Sequence, residues 1–231
     1  MDYGNMISDS FTYVKDGVIC KAKSWLLLII ATLILTLPLD GYILNIYRGK
    51  TPAPEVENWG KLFVDGILFL IIALIYSIPL IALEFLIVGV AFINTPMTMA
   101  SDPSAFISGL VGAGILALLL FIVAIIVALI EPIGLIRFAR TGNFVEAFNF
   151  SEIVATIRKI GWLSYILALI IVTIAIGIPL VILWIIMMGL MVALSLTGFI
   201  LTILIVLIVL PVIAVFQARY YTRVYDAAEN K

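Results

Sequence analysis

The chain has 231 residues, 65% of them hydrophobic and 12% charged, whereas a soluble domain is about half apolar and a quarter charged. So few charges cannot clothe a soluble core of this length, and most of the surface must be solvated by lipid. With 13 basic and 14 acidic residues, no histidine and Cys20 as the only cysteine, the composition excludes a basic field for nucleic acid, an internal disulfide, a Cys/His metal cluster and histidine-dependent catalysis.

Residues 1–23 read as an interfacial amphipathic segment. Ile7, Phe11, Val14, Val18, Ala22 and Trp25 share one helical face, and Asp9, Thr12, Asp16 and Lys23 the other. The mixed charge and the absence of an Ala-x-Ala-like site mark this segment as retained rather than as a signal peptide.

The transmembrane domain is predicted over 24–220, followed by a cytoplasmic tail over 221–231. A helix needs about 20 apolar residues to cross ~30 Å of hydrocarbon. The charge-poor stretches therefore predict five spans, at 24–47, 67–94, 106–137, 162–187 and 190–220. Each is helical because an open strand edge in lipid leaves backbone groups unsatisfied. The expected fold class is an all-α polytopic transmembrane bundle with interfacial helices.

Basic residues set the orientation. Arg48, Lys50 and Lys61 follow the first span, Arg137, Arg140, Arg158 and Lys159 the third, and Arg219, Arg223 and Lys231 the last, which places these segments and the C-terminus in the cytoplasm. The connections 95–105 and 188–189 hold no Lys or Arg and belong outside. Five spans then put Lys15, Lys21 and Lys23 outside, against the rule. The alternative is a first stretch that dips in and returns at Pro38-Leu39-Asp40-Gly41 without crossing.

Prolines recur near the ends of three apolar runs, at Pro38, Pro132 and Pro211, each followed by an arginine. Pro79 and Pro179 lie inside the other two, as hinges or static kinks. Between the third and fourth spans, residues 143–160 place Phe150, Ile153, Val154, Ile157 and Ile160 on one helical face opposite Glu146, Asn149, Glu152, Thr156 and Lys159, as an interfacial helix does. Trp59, Leu62, Phe63 and Gly66 give a shorter example. Small-residue ridges at Ser108/Gly112, Gly109/Ala113 and Gly189/Ala193 allow close helix approach, within the chain or to another copy.

Three carboxylates fall at membrane depth: Asp40, Glu84 and Glu131. An acidic group there costs ~2.5 to 3.5 kcal/mol, so each needs a reason. Glu84, with 18 uncharged residues before it and 17 after, either binds a proton or cation or hydrogen-bonds a neighbouring helix. Glu131, beside Pro132, and Asp40, beside Gly41, read as interface or turn residues. No phosphate loop, dinucleotide fingerprint or EF-hand occurs, so no cofactor or metal is expected.

Gly41-Tyr42 with Arg48, Trp59-Gly60-Lys61-Leu62-Phe63-Val64-Asp65-Gly66, and Ile136-Arg137-Phe138-Ala139-Arg140-Thr141-Gly142 followed by Ala147-Phe148 together resemble an uncharacterised, mainly archaeal family of multi-span membrane proteins, domain of unknown function family 4013. The resemblance implies no activity and no site residues. The expected protein is a non-enzymatic plasma-membrane scaffold, anchor or accessory subunit. Its partners are the lipid bilayer and a protein or a second copy of itself. The alternative is a small transporter or channel subunit that uses Glu84.

Overall fold

The computed structural model describes residues 1–93 and 102–229, and among them the fold is all-α, without strands. Helix α1 (Tyr3–Val14) is capped by the Asp2 carboxylate, which accepts the Asn5 amide N–H, and continues into a π-helical turn over Lys15–Ile19. Next come α2 (Ala22–Leu33) and α3 (Leu37–Tyr47). Two long helices follow, α4 (Trp59–Ile93) and α5 (Pro103–Thr141). A 3-10 turn over Phe144–Phe148 leads to α6 (Phe150–Ile160) and then to α7 (Trp162–Glu229).

Three of these helices are long and apolar enough to cross a bilayer: α4, α5 and α7. The helix α7 is not one rod. Ser195 has φ 48° and ψ −120°, outside helical geometry. A Cβ on Gly198 would collide with the backbone of Leu190 and Met191, although eight residues of straight helix would separate these positions by about 12 Å. The chain therefore folds back, and residues 162–194 and 196–229 form an antiparallel hairpin. The predicted turn at 188–189 is displaced to this point, where glycine permits the backbones to touch.

The predicted first span, 24–47, is likewise not continuous. Helix α2 stops at Leu33, and Leu35 and Thr36 both take left-handed backbone angles, φ 54° and 61°, before α3 begins with Pro38 in its first turn. Proline suits a helix start because its missing N–H has no partner there. At twelve residues, α2 is about 18 Å long, too short to cross alone. Ten of the eleven residues of α3 are buried in protein. Two glycines make this possible. A side chain on Gly41 would strike the Leu62 backbone, and one on Gly66 would strike that of Leu37, so α3 and the start of α4 run antiparallel in direct backbone contact.

The contacts divide the chain into two compact units, one of residues 1–70 and 132–231 and one of residues 71–131. In the first, α1, α2, α3 and α6 all pack on α7. Its core includes Leu28, Tyr42, Ile46, Ile153, Ile157, Tyr165 and Tyr220, all below 2% exposed. The second unit consists of the distal parts of α4 and α5. Its surface is apolar, with Phe85, Ile107, Ile115 and Phe121 all exposed. The predicted outer connection at 95–105 falls largely outside the described residues, as does Asn94.

The amphipathic N-terminal segment is helical, with a rotated buried face. Met6, Ser10, Tyr13, Val14, Gly17 and Val18 are buried, while Phe11 is exposed. In α6 the buried face is Ile153, Thr156, Ile157 and Ile160, with Phe150 exposed.

Candidate functional site

Two features of the first unit concentrate polar chemistry: an ion-paired base at one end, and a cleft that contains Asp40.

The base is built from the arginines that close the apolar runs. Arg48, the residue that caps the C-terminal end of α3, donates to Asp65 on α4 at 2.6 Å and to the Asn45 side-chain oxygen at 3.0 Å. Arg137 pairs with Glu146 in the 3-10 turn and lies 3.8 Å from Glu152 on α6. Arg140 pairs with Asp226 near the end of α7 and donates from Nε to the Tyr47 carbonyl at 2.7 Å. Gly49, with φ +83°, is left bare where that guanidinium passes. Arg219 is 7% exposed and donates from Nε to Asp9 on α1 at 2.7 Å, with its guanidinium 4.6 Å above the Tyr13 ring. Arg223 approaches the same carboxylate at 3.6 Å.

Each of these pairs joins two different elements, and together they fix α1 and the end of α7 to one end of the unit. Tyr3 donates to the Ser164 carbonyl and Tyr13 to that of Lys50. Residues 3–20, 45–65, 137–164 and 219–229 thus share a side.

The environment shifts several groups here, Glu146 and Tyr13 among them. The Glu146 carboxyl is held below the ordinary glutamate range by the Arg137 hydrogen bond and then by that of Asn149. Burial pushes the Tyr13 hydroxyl up to about 12, with the Arg219 charge acting in the opposite direction.

The cleft lies between α3 and the two limbs of α7, with a volume of 610 Å³. Its walls are apolar, including Leu39, Trp184, Met187 and Ile213, and its polar groups are Thr36, Asp40 and Gln217. Pro179 and Pro211 lie inside the two limbs, where a proline bends a helix and loosens the preceding turn. In the turn before Pro211, the Ile208 carbonyl accepts the Trp25 indole N–H at 3.1 Å. The Asp40 carboxylate accepts the Thr36 hydroxyl at 3.1 Å.

Of the three carboxylates expected at membrane depth, Asp40 is thus half-buried on a cleft in the first unit. Glu84 is exposed on α4 in the second unit. Glu131, also in the second unit, is half-buried and within electrostatic reach of the Tyr76 hydroxyl. Among the described residues, no three His, Cys, Asp or Glu side chains are grouped so as to hold a metal ion.

Sequence reasoning missed the carboxylate partners Asp9, Asp65, Asp226 and Glu146, because pairing between separate elements, across 9 to 210 residues, leaves no local pattern. It also missed Thr36, Trp184 and Gln217, which read as ordinary helix residues until the hairpin brings them to one cleft.

Three bilayer-length helices with apolar, exposed flanks define the class: a helical, membrane-embedded protein. Residues 25–188 match the family described as protein of unknown function (DUF4013), and the chain belongs to that family. No curated protein and no solved structure matches it.

Proposed function

We propose that the protein is a non-enzymatic membrane anchor or accessory subunit, in which the ion-paired base holds the N-terminal helix, α6 and the C-terminus as one rigid platform for a partner protein. The observation that carries this reading is the base itself. Arg48, Arg137, Arg140 and Arg219 are each engaged by a carboxylate from another element, an arrangement that fixes geometry. Exposed Phe11, Val145 and Phe150 border this base and offer an apolar contact to headgroups or to a partner.

The fold-back at Ser195 supports separate crossings for 162–194 and 196–229. The break at Leu35 and Thr36, with both termini at one end, favours the re-entrant form of the first stretch. Four crossings then replace five, and Lys15, Lys21 and Lys23 join the other basic segments on one side. By the positive-inside rule that side is the cytoplasm, in the plasma membrane.

The test is the size of the assembly extracted from native membranes into lipid nanodiscs. An anchor runs larger than the monomer, and Val145→Asp with Phe150→Asp reduces it to monomer size. A wild-type chain that is monomeric at native expression, or that shows catalytic turnover after purification, contradicts the proposal.

A further inference from the structure

The polar side chains of the cleft are rich in acceptors and include one carboxylate. Ionised Asp40 offers only acceptors. The Thr36 hydroxyl gives its proton to Asp40 at 3.1 Å, so only its lone pairs remain. Gln217 donates one N–H from Nε2 to the Tyr221 hydroxyl at 3.0 Å, and its carbonyl oxygen adds a further acceptor. Pro38 has no N–H to offer at the start of α3. Among the described residues, no Lys or Arg forms an ion pair with Asp40, although the arginines of the base are matched to carboxylates.

A carboxylate in the first turn of a helix is often there to complement the helix dipole. That role alone leaves two things unexplained: Asp40 accepts from the Thr36 side chain, and it lines a 610 Å³ space whose other walls are apolar. This volume falls within the ordinary range for small-molecule sites, which combine apolar walls with a few convergent polar groups. Trp184, 59% exposed, adds an aromatic face of the kind that attracts organic cations.

We propose that the cleft between α3 and the α7 hairpin binds a lipophilic organic cation, with the cationic centre at Asp40 and Gln217 and the apolar body against Trp184, Met187 and Ile213. Charge complementarity selects this occupant over the acyl chain of a neutral lipid, which would fill the apolar walls but leave the Asp40 charge desolvated and unpaired. The exposed flanks Leu180 and Val181 provide lateral access from the bilayer. The site is independent of the platform at the base.

The experiment uses the full chain in nanodiscs of neutral lipid, with tetraphenylphosphonium and its anionic isostere tetraphenylborate as probes in equilibrium dialysis. Wild type is expected to retain the cation above empty nanodiscs and not the anion. Asp40→Asn, which preserves shape and the Thr36 contact, is expected to weaken cation binding at least about tenfold, as when one partner of a buried charge pair is lost. Ile213→Trp, which fills the cleft and leaves the carboxylate, is expected to abolish it. Equal retention of both probes by wild type, or cation binding unchanged in Asp40→Asn or in Ile213→Trp, overturns the proposal. The first result would identify the occupant as bulk lipid.

Discussion

Helices α3 and α5 are both apolar, yet they have opposite surroundings. Ten of eleven residues in α3 are buried, while none of the most apolar 18-residue window of α5 is buried inside the protein. Over that window helix α5 is solvated by lipid and needs only length and hydrophobicity. Helix α3 is solvated by protein and needs shape, which Gly41 and Gly66 provide. Mutational sensitivity should therefore follow packing rather than hydrophobicity, because lipid yields to an added methyl group and a close-packed interior does not.

The largest effect is expected where α3 meets α4. Gly66→Leu places a side chain inside the Leu37 backbone, so the two helices must separate, at a cost of about 3 kcal/mol or more. Thermal unfolding in detergent should show this as loss of the folded, monodisperse species. A Gly66→Leu protein as stable as wild type would remove the distinction between the two helices.

Arg219→Ala comes next. It leaves Asp9 with only the longer Arg223 contact and removes the ring contact to Tyr13. Loss of one member of a buried pair costs about 3 kcal/mol, and the expected readout is proteolytic release of residues 1–20 while the remainder of the fold persists.

The Arg137–Glu146 pair should respond to pH. The folded pKa of Glu146 is lowered, so its contribution is present above the ordinary glutamate pKa and is lost as pH falls through the folded value. Protection from hydrogen exchange over 144–160, corrected for the intrinsic rate at each pH, should fall on acidification, and Glu146→Gln should show the lower protection at both pH values.

A smaller, opposite effect is expected at the break between α2 and α3. Leu35 is 82% exposed and takes φ 54°, a conformation that costs a non-glycine residue about 1 kcal/mol. Leu35→Gly should recover up to that amount, less the added freedom of the unfolded chain. Smallest of all are Gly112→Ala and Gly189→Ala, at positions where no atom lies within 4 Å of an added Cβ. Stability should change by less than about 0.5 kcal/mol. A marked change in assembly size instead would place these ridges between copies of the chain.

The small-residue ridges show why pattern and role diverge. Gly112 and Gly189 fit the spacing for close helix approach but meet open space, whereas the contacts are made at Gly41, Gly66 and Gly198. Two of these three stand in the motifs that carried the family resemblance, although nothing in their spacing announced a crossing. The arginines at the ends of the apolar runs were legible as a basic edge. Their carboxylate partners were not, since Asp9 and Arg219 lie 210 residues apart and meet only when α1 packs on α7.

Composition and hydropathy by themselves determined the helical class, the lipid solvent and the rough limits of the long helices, because backbone satisfaction in hydrocarbon depends on local sequence alone. The tertiary structure decided where apolar runs break, at Leu35 and Ser195, which carboxylate neutralises which arginine, and that Asp40 lies on a cleft while Glu84 is exposed. Those outcomes depend on how distant segments pack, and at equal hydrophobicity the sequence does not distinguish a face turned to lipid from one turned to protein.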